Sequence, residues 1–230
     1  MTSVMLDVHF EKPYYKNVEA CLIDSPFICH DSEALKVNIP SCEDLLGDKL
    51  TAFAPHTIGV PYEKSGHSYT KEVIKQLFDI GCLFPHCENF FLLKTTFETV
   101  AKRQLKYRSL EDNISPVLED IITTSLTLLT RGTSNKQDFD KLLDGIKKIK
   151  SFIFSETYNI DKAINHSAKA AYLAFLIKNN ADKIELFDPN LNMSKWSLDV
   201  IREDVRKHIN RLRKIDPEAF FYWYKILSSD

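Results

Sequence analysis

The sequence predicts an α+β fold, with a small N-terminal sheet of about three strands followed by a mostly helical C-terminal region. Three observations carry this expectation. The first forty residues hold short β-branched and aromatic runs broken by Pro, Asp and Ser, the punctuation of strands and turns. From Ser41 onward the apolar residues recur at helical spacing. With 44% hydrophobic and 27% charged residues but only 6 Gly and 9 Pro, the 230-residue chain has the composition of a folded protein and is long enough to bury a core without disulfides or metal.

The elements come in order along the chain. Residues 4–10, VMLDVHF, alternate so that Val4, Leu6, Val8 and Phe10 share one face and Met5, Asp7 and His9 the other. Segments 19–23 and 33–39 have strand length and end at Asp24-Ser25-Pro26 and at Pro40. Ser41 then caps a helix, with Asp44 where a capping box places a carboxylate and Leu45, Leu46, Leu50 and Phe53 on one stripe. A loop over 55–66, rich in Gly, Pro and His, leads to a helix near 69–83 with Val73, Ile74, Leu77 and Ile80 inward. Helical patterns continue at about 88–107, 110–130, 138–156, 159–179 and 197–214, with a last one after Pro217. The polar segment RGTSNKQ, 131–137, is the best internal boundary and divides the chain into 1–40, 41–131 and 132–230.

Net charge of -2 offers no global field to recruit nucleic acid or an anionic membrane. The N-terminus lacks the charged and apolar regions of a secretory signal, and no apolar run approaches the ~18 to 20 residues that cross a bilayer. Five cysteines, an odd number, do not form a secreted disulfide framework. The expectation is a cytoplasmic protein with no membrane partner.

Three charged sites stand out. Asp7 sits mid-strand, where a rigid element can hold a metal or proton in fixed geometry, although a carboxylate on the solvent face of a half-exposed strand is the simpler reading. Lys49 lies beside the apolar stripe of its helix and can neutralise a phosphate as a point charge, or rest its methylenes on the surface with its head in water. Lys75 and Asp79 are four apart on one helix face, a surface pair unless Asp79 reaches Lys49 across packed helices.

The run EDLLGDKLTAFAPHTIGVPY, followed by KEVIKQLFDIGCLF, resembles the helical half of the AbiEii/AbiGii-type nucleotidyltransferase-like toxins, bacterial proteins of the polymerase-beta-like nucleotidyltransferase superfamily. The lysine-bearing DLLGDKLTA and the aspartate-bearing QLFDIG match in type and order, and VMLDVHFE is similar to the strand that carries that superfamily's third acidic residue. The likeness covers residues 4 to 90 closely and the helical remainder in general character. It implies Asp7 as a Mg²⁺ ligand and catalytic carboxylate, Lys49 and Lys75 on the nucleotide, and Asp79 in support. The reaction would be an in-line displacement at an α-phosphate, moving a nucleotide from a nucleoside triphosphate to RNA, tRNA included, or to protein, with a cognate antitoxin as partner. The family's Gly-Gly/Ser phosphate loop and its strand with a closely spaced acidic pair do not occur in the expected place, and the nearest imitation, Gly132-Thr133 followed by Asp138-Phe139-Asp140, reads as a loop and helix start. The alternative is therefore a catalytically inactive, truncated remnant that acts as a binding or interaction protein.

Other features carry blander readings. Cys82 and Cys87, with His86, His67 and His56, lack zinc-knuckle spacing, and Cys82 reads as a core thiol. Arg202, Arg206, Lys207, Arg211, Arg213 and Lys214 form the strongest basic patch, fit for an RNA backbone but more simply a solvated helix face; Lys147, Lys148 and Lys150 read the same way. The run Phe220 to Tyr224, with Trp196, reads as a helix docked into the core.

Overall fold

The computed structural model describes residues 14–24, 35–198 and 203–228. The strand expected over residues 4–10, and Asp7 with it, lies outside the described residues.

The fold is α+β. Strands β1 (Val18–Leu22) and β2 (Lys36–Pro40) pair antiparallel, with Val18 opposite Pro40 and Leu22 opposite Lys36. Among the described residues this sheet has two strands, and Val18, Leu22, Val37 and Ile39 on it are exposed. The root of the sheet is tied to the cap of the first helix, since Ser41 donates its backbone N–H to the Asn17 carbonyl at 2.9 Å. Helix α1 (Cys42–Ala52) starts there, with the Ser41 hydroxyl accepting from the Asp44 N–H. Leu46, Leu50 and Phe53 on its stripe are fully buried, while Leu45 is half-buried. The loop after α1 contains a hairpin that the apolar pattern does not show, β3 (Glu63–Lys64) against β4 (His67–Ser68). Ser65 and Gly66 turn it with φ of 52° and 77°, the left-handed pair that a tight hairpin needs.

Helix α2 (Thr70–Leu83) buries Val73, Ile74, Leu77 and Ile80, and α3 (Phe90–Tyr107) lies across α1. Helix α4 (Ser115–Leu129) begins later than the apolar pattern suggests, because Pro116 suits the first turn and lacks the N–H that an interior turn would need. Helix α5 (Lys136–Ile149) is capped by the Asn135 side chain and ends in a turn through Phe152, shorter than the expected 138–156. Helix α6 (Ile160–Lys178) is the central element, packed against α2, α4 and α8 and buried on most of its sides. An irregular stretch over 179–198 leads toward α7 (Glu203–Ile215) and α8 (Pro217–Leu227). The aromatic run of α8 docks as expected, with Phe220, Phe221, Tyr222 and Trp223 buried and Trp196 stacked on Tyr224 at 4.4 Å.

One core cluster runs from Leu46 through Ile226 and draws on both sides of the 131–135 turn. Glycines let its helices approach closely. A Cβ on Gly81 of α2 would stand 2.1 Å from the His166 ring of α6, and one on Gly47 of α1 would stand 2.8 Å from the Leu93 carbonyl of α3. No helix among the described residues is long and apolar enough to cross a membrane.

Candidate functional site

Lys49 and Asp79 meet where α1 packs on α2. Lys49 lies in the last turn of α1, where the helix dipole favours a cation, and its Nζ stands 3.0 Å from Asp79 Oδ2, with both side chains about three-quarters buried at 25% and 26% exposure. Partial burial makes this pair stronger and less salt-sensitive than a surface one. Asp79 therefore pairs across helices and not with Lys75 on its own helix. Lys75 is exposed and, among the described residues, has no carboxylate partner.

The carboxylates beside Lys49 anchor the chain that enters the sheet. Asp48 accepts from the hydroxyls of Tyr14 at 3.0 Å and Tyr15 at 3.4 Å. Burial first, and the Asp48 charge second, push both phenols above their usual range. Asp44, fully buried, accepts from the backbone N–H groups of Lys16 at 3.1 Å and Asn17 at 2.9 Å and from the hydroxyls of Ser41 and Thr96. These two residues, unremarked in the sequence apart from the cap, fix residues 14–17 against α1. They are thereby committed. Mg²⁺ requires several oxygen ligands in near-octahedral array, and among the described residues no three His, Cys, Asp or Glu groups come together. The described residues do not fit Mg²⁺, and Asp7 lies outside them.

Asp79 also forms one wall of a cleft of about 430 Å³ between α2 and the turn that ends α5, lined by Lys71, Lys75, Phe78, Ile149, Phe152 and Ile153 among others. Phe152 is 62% exposed there, and the Lys71 ammonium stands 4.3 Å from its ring centroid. In the sequence Phe152 is not separable from an ordinary apolar residue of helix 138–156, because its exposure comes from the early end of α5.

A second polar cluster ties the loop after α1 to α4 and α5. His56 Nε2 and Asp138 Oδ2 lie 2.8 Å apart, and Asp120 accepts from the His56 N–H at 2.8 Å and the Thr57 hydroxyl at 2.9 Å. Burial raises the Asp120 carboxyl above the usual range. Burial works the same way on Asp138, but the hydrogen bond and charge of Lys141 and the charge of His56 outweigh it and hold the group low. All these groups answer one another, and the cluster reads as a structural clasp.

The remaining sequence candidates separate. Cys82 is exposed and not a core thiol, since it falls on the side of α2 away from the buried stripe; Cys87 is the buried one. On α7 the basic patch is thinner than the sequence count. Arg202 lies outside the described residues, Lys207 pairs with Glu203 at 3.0 Å, and Arg213 lies 4.8 Å from the Phe220 ring centroid and donates to the Trp196 carbonyl. Arg206, Arg211 and Lys214 face solvent, and Ile215, expected on the apolar stripe, is exposed too. Lys148 pairs with Asp144 at 2.6 Å.

No family model matches the chain, nor does any curated protein or solved structure.

Proposed function

We propose that this chain binds a nucleoside triphosphate at the Lys49–Asp79 pair and is a nucleotidyltransferase-like protein of the bacterial toxin–antitoxin or abortive-infection type. The observation that carries the reading is that ion pair: the lysine of DLLGDKLTA and the aspartate of QLFDIG, two separate motifs of the resemblance, are joined at 3.0 Å. Asp79 holds the Lys49 side chain in one orientation, so little rotamer freedom is left to lose when its ammonium meets a phosphate oxygen. Lys75, one turn before Asp79 and with no acid partner among the described residues, supplies a second cation for the same polyphosphate. Transfer of the nucleotide to RNA or to protein belongs to the proposal through Asp7. Asp7 would contribute one of the several oxygen ligands that Mg²⁺ needs.

A second reading, a binding protein without transfer, is favoured by the engagement of Asp44 and Asp48 as chain anchors, which leaves neither for catalysis. Incubation of the chain with α-phosphate-labelled triphosphates, Mg²⁺, and either tRNA or cell protein separates the two. Label in an acceptor that disappears with Asp7→Ala supports transfer. Saturable triphosphate binding with no labelled acceptor supports the binding protein.

A further inference from the structure

The cleft beside Asp79 offers an aromatic ring together with Lys75, a cation that has no acid partner among the described residues. We infer that it seats the base of the nucleoside triphosphate, stacked on Phe152, with the phosphates running toward Lys75 and Lys49; the inference rests on the nucleotide reading above. Phe152 is 62% exposed, and its backbone is held in a turn, because its N–H donates to the Ile149 carbonyl at 2.9 Å and the preceding Ser151 hydroxyl donates to the Lys148 carbonyl at 3.3 Å. A ring on an ordered turn that is still 62% exposed, with Lys71 over one face, gains apolar burial when a base stacks on it. The other ring of the cleft is not available in the same way, since Phe78 packs edge-on against buried Tyr158 at 5.4 Å.

Charge selects the ligand further. Glu72 is answered by Lys71 at 3.4 Å and Asp79 by Lys49 at 3.0 Å, so the acids of the cleft are neutralised and Lys75 is left over among the described residues. The complement of this surface is an anion that carries a flat ring. A volume of about 430 Å³ falls within the usual size of small-ligand sites. Lys71, paired with Glu72, stands 4.3 Å from the Phe152 ring centroid and holds that ring by a cation–π contact.

The test compares the four nucleoside triphosphates with inorganic tripolyphosphate, by calorimetry on the full chain and on Phe152→Ala, Phe152→Trp and Lys75→Ala variants. At least one nucleotide is expected to bind about tenfold more tightly than tripolyphosphate, as stacking on one ring supplies. Phe152→Ala should erase that preference without changing tripolyphosphate affinity, Phe152→Trp should keep it, and Lys75→Ala should weaken both ligands. Equal binding of nucleotide and tripolyphosphate by the natural chain, or a preference that survives Phe152→Ala, overturns the stacking platform while leaving the phosphate site standing. Absence of binding by all five ligands overturns the phosphate site and the platform together. Loss of self-association in Phe152→Ala, with nucleotide affinity unchanged, overturns the platform in favour of a contact between copies of the chain.

Discussion

His166 shows how a single side chain couples packing to pH. It is buried beneath Gly81 and beside Tyr158, and its Nδ1 has no hydrogen-bond partner among the described residues. Burial, then the charges of Lys169 and Lys162, push its pKa down to about 3 from the ordinary 6.5. The fold therefore holds the ring neutral while the unfolded chain protonates it. Stability from this group is complete above pH 6.5 and falls as pH drops toward 3, by about 1.4 kcal/mol per pH unit. Urea unfolding should lose about 2 kcal/mol between pH 7 and 5 through this group, the slope becoming full only well below pH 6.5, and His166→Asn should remove that loss; equal pH dependence in the two proteins would contradict the assignment. Residue roles of this kind are only partly legible in the sequence. The N-cap at Ser41 rests on neighbours along the chain and is plain there. The anchors at Asp44 and Asp48, the unanswered Nδ1 of His166 and the exposure of Phe152 depend on partners tens of residues away, and no local pattern encodes them.

At the scale of elements, the apolar stripes place the helices well because helical period and burial express the same constraint. Val73, Ile74, Leu77 and Ile80 are all fully buried. The ends move where a cap or a proline overrides the stripe, as at Pro116 and Asn135. The two-residue strands β3 and β4 are too short to show alternation. Helix crossings depend on small residues, and Gly81 is the sharpest case. A Cβ there meets the buried His166 ring at 2.1 Å, so the ring or the helix crossing must shift. Gly81→Ala is expected to destabilise the chain by about 2 kcal/mol or more, as overpacking does. Combined with His166→Ala it should cost much less than the sum of the two single changes, because the second substitution makes the room that the first requires. Additive costs in urea unfolding would show that the crossing of α2 and α6 does not depend on this contact.

For the whole molecule, the α+β order of sheet first and helices after is readable from the switch in apolar period near Ser41. The number of strands is not, since one expected strand lies outside the described residues. The boundary at 131–137 is a turn between α4 and α5, and a single core cluster passes it, with α6 packed against helices from both sides. That arrangement bears on function. Helices α1 and α2, which carry Lys49 and Asp79, are held from behind by α3 and by α6, so the pair rests on the rigid part of the fold while β1 and β2 stand exposed. A polyphosphate received at this pair is the proposal on which the nucleotide reading stands or falls. Its decisive experiment is calorimetric titration of each nucleoside triphosphate into the natural chain and into Lys49→Gln, with melting temperature measured on both. Saturable heat is expected with at least one triphosphate, and an affinity about tenfold or more weaker in the variant, the loss expected for one charged hydrogen bond, when both proteins are titrated well below their melting temperatures. No heat with any triphosphate, or equal affinity in a folded Lys49→Gln variant, would refute it.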